Sequence, residues 1–147
     1  MTLVKFLEDL YMNEQYQVTK NFKHFEWIDI CKPDKEELIK IAETYQLDYF
    51  QIKDSLQPGH LPKIEINDRY TFIVLRAFTA NFKTGASTVP ELSNKIAFFY
   101  NNEKLITIHS TKFSFLNIQE KTFVSVEDLL LDIIFKIQVP VICRTKN

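Results

Sequence analysis

SLQPGHLPKIEINDRYTFIVLRAFT, residues 55–79, sets the architecture. Pro58 removes a backbone donor and Gly59 tolerates positive φ, so a helical pattern that reaches Leu56 stops here. Pro62 closes the turn. Beyond it, Lys63 to Phe78 reads as one continuous or nearly continuous strand. The run Phe72–Leu75 does not alternate with polar residues, which is the pattern of a strand covered on both faces. His60, inside the turn, is expected to be exposed.

Upstream, Phe25 to Ile30 (FEWIDI) alternates apolar and polar residues with strand periodicity. Pro33 then opens a helix. Asp34 with Glu37 three residues on forms a capping box, and Leu38, Ile41, Ala42 and Tyr45 make the buried face. A second short helix spans Tyr49 to Leu56. Leu3, Phe6, Leu7 and Leu10 fit a short amphipathic helix or a strand, and residues 1–24 leave that choice open.

Downstream, Thr79 to Ser93 is polar, holds Gly85 and Pro90, and reads as a loop. Lys95–Tyr100 and Lys104–Ser110 are two further strands. Asn101 and Asn102 between them suit a tight hairpin, since asparagine tolerates positive φ. Phe113–Lys121 is a candidate helix and Ser125–Gln138 a stronger one. Val126, Leu129, Leu130, Ile133 and Ile137 share one face of the latter at about 100° per residue. Leu131 and Phe135 point elsewhere and are also apolar, so this helix either lies sandwiched in the core or takes a second partner.

The 147 residues fit one domain, long enough to bury a core without a staple. Hydrophobic residues make up 46%, thirteen of them Phe, which argues against disorder. Net charge is −1 with no basic patch, so nucleic acid is not an expected partner. Cys31 and Cys143 fit small core thiols in a reducing compartment, with a disulfide left open. No signal peptide is visible, and no apolar run approaches the roughly 20 residues of a membrane span. With only two glycines, a P-loop or dinucleotide fingerprint has no material. His24, His60 and His109 lack metal-ligand spacing. His109, at the end of an apolar strand, reads as a hydrogen-bonded structural residue. No nucleophile motif is present, so an enzyme is not expected.

Three stretches taken together carry more. WIDICKPDKEELIKIA, IKDSLQPGHLPKIEINDRYTFIVLRAF and KIAFFYNNEKLITIH, in this order over residues 25–110, resemble the cytoplasmic N-terminal domain of CorA-type magnesium transporters. Shared are Trp-Ile-Asp, a proline-started helix, an acidic step, a proline turn before an apolar strand, and a hairpin ending Ile-Thr-Xaa-His. LLLDIIFKIQVP, near the C-terminal end, is similar to the family's Leu-Ile-Asp helix and later proline.

The resemblance implies an α/β (α+β) fold with a mixed, largely antiparallel sheet covered by helices. It implies one cytoplasmic domain, residues 1–147, of a longer homopentameric divalent-cation transporter. The stalk, the membrane helices and a Gly-Met-Asn pore motif would lie outside this sequence. The stalk would then be the second partner of the last helix. The chain itself would be soluble, at the cytoplasmic face of the membrane in the full-length protein. Mg²⁺ is the expected regulatory ion, with Co²⁺, Ni²⁺ or Zn²⁺ as other cargo of such transporters. Asp54 matches the second acid of the family's regulatory pair, while Lys53 stands where the first would be. Asp132 matches the acid of the Leu-Ile-Asp helix. Carboxylates suit Mg²⁺, a hard ion that prefers oxygen, whereas a lysine ammonium repels it. The competing expectations are a stand-alone binding or scaffold domain of the same fold and, third, a hydrolase without a recognised motif.

Overall fold

The computed structural model describes residues 2–4, 15–59, 61–78, 93–118 and 122–145, with side chains for all of these except 78 and 138–145. Among the described residues six strands and three longer helices follow in chain order: β1 (Tyr16–Asn21), β2 (Glu26–Cys31), α1 (Lys35–Tyr45), α2 (Tyr49–Leu56), β3 (Lys63–Ile66), β4 (Thr71–Phe78), β5 (Ser93–Tyr100), β6 (Lys104–His109) and α3 (Val126–Thr145). The strands form one sheet in the order β1-β2-β6-β5-β4-β3. Only β2 and β6 run parallel; the other neighbours are antiparallel. This is the mixed, largely antiparallel sheet expected, with β1 adding a strand at one edge.

Each face carries its own core. On one, Phe72 and Val74 of β4, Ala97 and Phe99 of β5 and Ile106 and Ile108 of β6 meet Leu38, Ile41 and Ile52 from α1 and α2. On the other, Ile73 and Ala77, Ile96 and Phe98, and Leu105 meet Val126, Leu129, Leu130, Ile133 and Ile137 of α3. The uninterrupted apolar run of β4 thus serves both layers. All five expected α3 residues are buried, while Leu131 and Phe135 stay 64% and 67% exposed. α3 is preceded by Ser125, whose hydroxyl accepts from the Asp128 amide at 3.2 Å. It continues through Pro140 to Thr145, further than the expected end at Gln138.

Local chemistry sets the element ends. Asp34 caps α1 by accepting the Glu37 amide, as the capping-box spacing predicts. Gln46 then takes the left-handed conformation (φ 55°) and stops the helix. Asp48 caps α2 through the Phe50 amide at 2.8 Å, and Gly59 (φ 94°) lies in the turn beyond it.

Three expectations change. Lys63–Phe78 is two antiparallel strands, because the Asn67 side chain accepts the amides of Arg69 and Tyr70 and folds the chain back. Asn101 turns the β5–β6 hairpin in the same way, accepting from Glu103 and Lys104, so positive φ is not used there. The described part of the expected Phe113–Lys121 helix, residues 113–118, holds only a 3₁₀ turn at Ser114–Leu116. Phe113, Leu116 and Ile118 are all buried, a spacing no single helical face provides, and no side chain caps the turn. The expected helix or strand at Leu3–Leu10 lies largely outside the described residues. The loop at 79–92, His60 and the side chain of Cys143 lie wholly outside them.

Candidate functional site

Asp54 lies in the last turn of α2, on the face of the sheet shared with α1. Its carboxylate is half-buried. Its own backbone carbonyl accepts the Lys95 ammonium at 2.6 Å, and Lys53 precedes it. Lys95 of β5 is 8% exposed and sits directly across from Arg76 of β4. Burial first, then the Arg76 charge, pulls the Lys95 ammonium down to about 8, while Asp54 pulls it back up.

Asp132 lies on α3, which packs on the opposite face. Its carboxylate pairs with Lys136 one turn on, at 2.8 Å. The sheet therefore separates Asp54 from Asp132. Among the described residues no group of three or more His, Cys, Asp and Glu side chains could hold a metal ion. Among the described residues of one chain the donor set does not fit Mg²⁺: the Lys95 charge acts on one carboxylate, and the other already holds a lysine.

The residues brought together most tightly are the Trp-Ile-Asp and Ile-Thr-Xaa-His stretches. Parallel pairing of β2 with β6 sets Asp29 beside Thr107 and Cys31 beside His109. Asp29 Oδ1 accepts from His109 Nε2 at 2.7 Å and from the Thr107 hydroxyl at 2.6 Å. Its Oδ2 accepts from the Tyr16 hydroxyl of β1 at 2.9 Å. Thr107 in turn accepts the Trp27 indole N–H at 3.0 Å. The other imidazole nitrogen, His109 Nδ1, meets the Thr111 carbonyl at 2.6 Å. Both ring nitrogens face acceptors, so both carry protons and His109 is an imidazolium. Burial alone would push it down; the Asp29 hydrogen bond and charge, with Cys31 beside it, outweigh this and raise it to about 9. His109 is fully buried and Asp29 is 8% exposed, so the network is a buried ion pair hydrogen-bonded on both carboxylate oxygens. The sequence reading of His109 as structural agrees with this. Asp29 and Tyr16 carried no such signal, because neither their pairing nor the β1 edge is visible in local periodicity.

Residues 22–137 match the family described as CorA-like Mg2+ transporter protein. No curated protein matches the chain. Several solved structures share the fold. The soluble domain of CorA from Methanocaldococcus jannaschii superposes with a TM-score of 0.61 at 20% identity, covering 78% of this chain and 47% of that one. The complete CorA magnesium transporter from the same organism gives 0.62 at 20%, covering 81% and 39%. The ZntB cytoplasmic domain from Vibrio parahaemolyticus RIMD 2210633 gives 0.64 at 15%, covering 85% and 59%. The chain thus spans less than two thirds of each of these relatives. Among its described residues no helix is long and apolar enough to cross a membrane. The family is one of transporters and not of enzymes, as the sequence reading expected. With 116 consecutive positions, residues 22–137, inside the family match and the same fold in its solved members, this chain belongs to the CorA-like Mg2+ transporter family.

Proposed function

We propose that the chain is the cytoplasmic regulatory domain of a CorA-like divalent-cation transporter and works as one of five identical copies around a pore. The observation that carries this reading is the family match over residues 22–137 together with the sheet order and helical layers. The exposed Leu131–Phe135 stripe of α3 supports it as well, because two large apolar side chains one turn apart suit a further helix such as a stalk. Asp54 and Asp132 are the carboxylates we assign to regulatory Mg²⁺. Since the sheet separates them and lysines neighbour both, the ion would need oxygen ligands from a second copy. Its binding would draw copies together, and its loss would let them loosen.

Expression of the complete coding frame in bacteria that lack their own Mg²⁺ uptake tests the reading. Growth at limiting Mg²⁺, a cross-linked pentamer, and a raised Mg²⁺ threshold for shut-off in Asp54→Asn and Asp132→Asn are the expected results. A frame that closes after Asn147 and gives no uptake would move the chain to the alternative, a stand-alone binding domain of this fold.

A further inference from the structure

β3 ends the sheet on the side away from β1, and among the described residues no strand lies along its outer edge. The turn after it fixes which backbone groups face that edge. The Asn67 amide donates to the Tyr70 carbonyl at 3.1 Å, so residues 67, 65 and 63 turn their backbone groups towards β4. Ile64 and Ile66 therefore turn theirs outward. Ile64 lies opposite Ile73, a core residue beneath α3, so its side chain and that of Ile66 are on the α3 face. Both stay bare, at 64% and 80% exposed. Lys63 and Glu65 alternate with them on the other face and pair with each other at 3.1 Å. Glu65 also accepts from the Gln51 side-chain amide at 2.6 Å. The edge thus shows outward amides and carbonyls, two exposed isoleucines and an ion pair with no net charge. Such an edge is a template for another strand.

Lys-Ile-Glu-Ile is also its own complement. Two copies run antiparallel about Ile64 set Ile64 against Ile64, and Lys63 of each against Glu65 of the other. Neither charge has to leave its present partner, because the two ion pairs meet with alternating sign. The two neighbouring registers would set Lys63 against Lys63 or Glu65 against Glu65, and like charges directly opposite are destabilising.

We propose that β3 is a docking edge for a second copy of this chain, joined antiparallel about Ile64 into one continuous sheet. The two Ile64 residues exchange amide-to-carbonyl bonds across the two-fold axis, and each Ile66 amide reaches the Pro62 carbonyl of the other copy. Pro62 has no amide to return, so the pairing ends there. A contact this short makes a weak, closed dimer. A two-fold contact cannot by itself build a ring of five, so it stands apart from the assembly proposed above.

Sedimentation velocity of the chain from about 10 μM to about 1 mM is the test. A reversible shift from 17.4 kDa towards twice that mass is expected. Ile64→Lys, at a position exposed in one copy, brings two ammonium groups together at the axis and should weaken the dimer about tenfold or more. Lys63→Glu alone and Glu65→Lys alone each set like charges across the axis and should each lose the dimer. Mixed one to one, these two variants face each other with opposite charges at both positions and should pair again. Circular dichroism checks that every variant folds. No dimer at about 1 mM, association indifferent to Ile64→Lys, or a mixture no more associated than its two components would overturn the assignment.

Discussion

The buried Asp29–His109 pair makes stability depend on pH in a way that can be worked out. In the folded chain both nitrogens of His109 donate, and the ring holds its proton up to about 9. In the unfolded chain it releases it near 6.5. Below 6.5 both states are protonated and the full contribution is present. Between 6.5 and about 9 the unfolded chain binds fewer protons, so stability falls as pH rises. Above about 9 the contribution is gone. Moving a histidine from 6.5 to about 9 corresponds to roughly 3 kcal/mol, a large part of the 5–15 kcal/mol typical of a domain. Urea unfolding from about pH 6 to about pH 9 reads this loss as a falling midpoint at constant slope. Proton NMR reads the group itself, since the chain has only three histidines and each can be assigned by substitution. A His109 ring that titrates below 6.5, or a midpoint flat across that window, would refute the imidazolium.

Other outcomes follow from the packing. Leu129→Ala and Ile133→Ala, both at fully buried positions of α3, should each cost about 2–5 kcal/mol in chemical denaturation. Phe135→Ser on the opposite side should stay within about 0.5 kcal/mol in the isolated chain; a large loss there would mean the face is already covered. Tyr16→Phe removes one donor to Asp29 and should cost about 1 kcal/mol while leaving the His109 titration above 6.5. Lys95→Met should stabilise at neutral pH. The depressed Lys95 ammonium costs folding energy below about 8, and that cost fades between about 8 and the ordinary lysine value, so the variant's advantage should shrink over the same interval. An advantage that does not change with pH would assign the effect to packing instead.

Helices and β-branched strands were legible because their signals are local. The Asp34 cap, the α2 limits and the five buried residues of α3 each follow from spacing within one or two turns. The break at Asn67 was also local, but the apolar weight of Ile64, Ile66 and Phe72 on either side masks it until the side-chain bonds to Arg69 and Tyr70 are seen. The segment after β6 misleads for another reason. Phe113, Leu116 and Ile118 are apolar because the core on the α3 face takes all three from an irregular segment, and composition cannot distinguish that from one helical face. Nor does any window contain the β2–β6 pairing: Asp29 and His109 are 80 residues apart, and only the sheet order makes them neighbours.

The same pairing explains what the resemblance can and cannot carry. Trp27, Asp29, Thr107 and His109 belong to the stretches that make the chain recognisable, and all four are spent on one another inside the sheet. They hold two parallel strands in register and speak for the fold. The proposal of regulation by a divalent ion rests instead on Asp54 and Asp132, where this chain has Lys53 next in sequence to the first, Lys95 on its carbonyl and Lys136 paired with the second. An ammonium 2.6 Å from the Asp54 carbonyl already supplies local positive charge. A Mg²⁺ ion arriving there would meet repulsion of the same sign, which weakens its binding before any ligand is counted. Lys53→Glu should therefore tighten Mg²⁺ binding in the assembled protein, by about tenfold if that single charge governs the site. An unchanged Mg²⁺ threshold in Lys53→Glu would show that the lysine does not tune sensing and that the ion, where it acts, is held elsewhere.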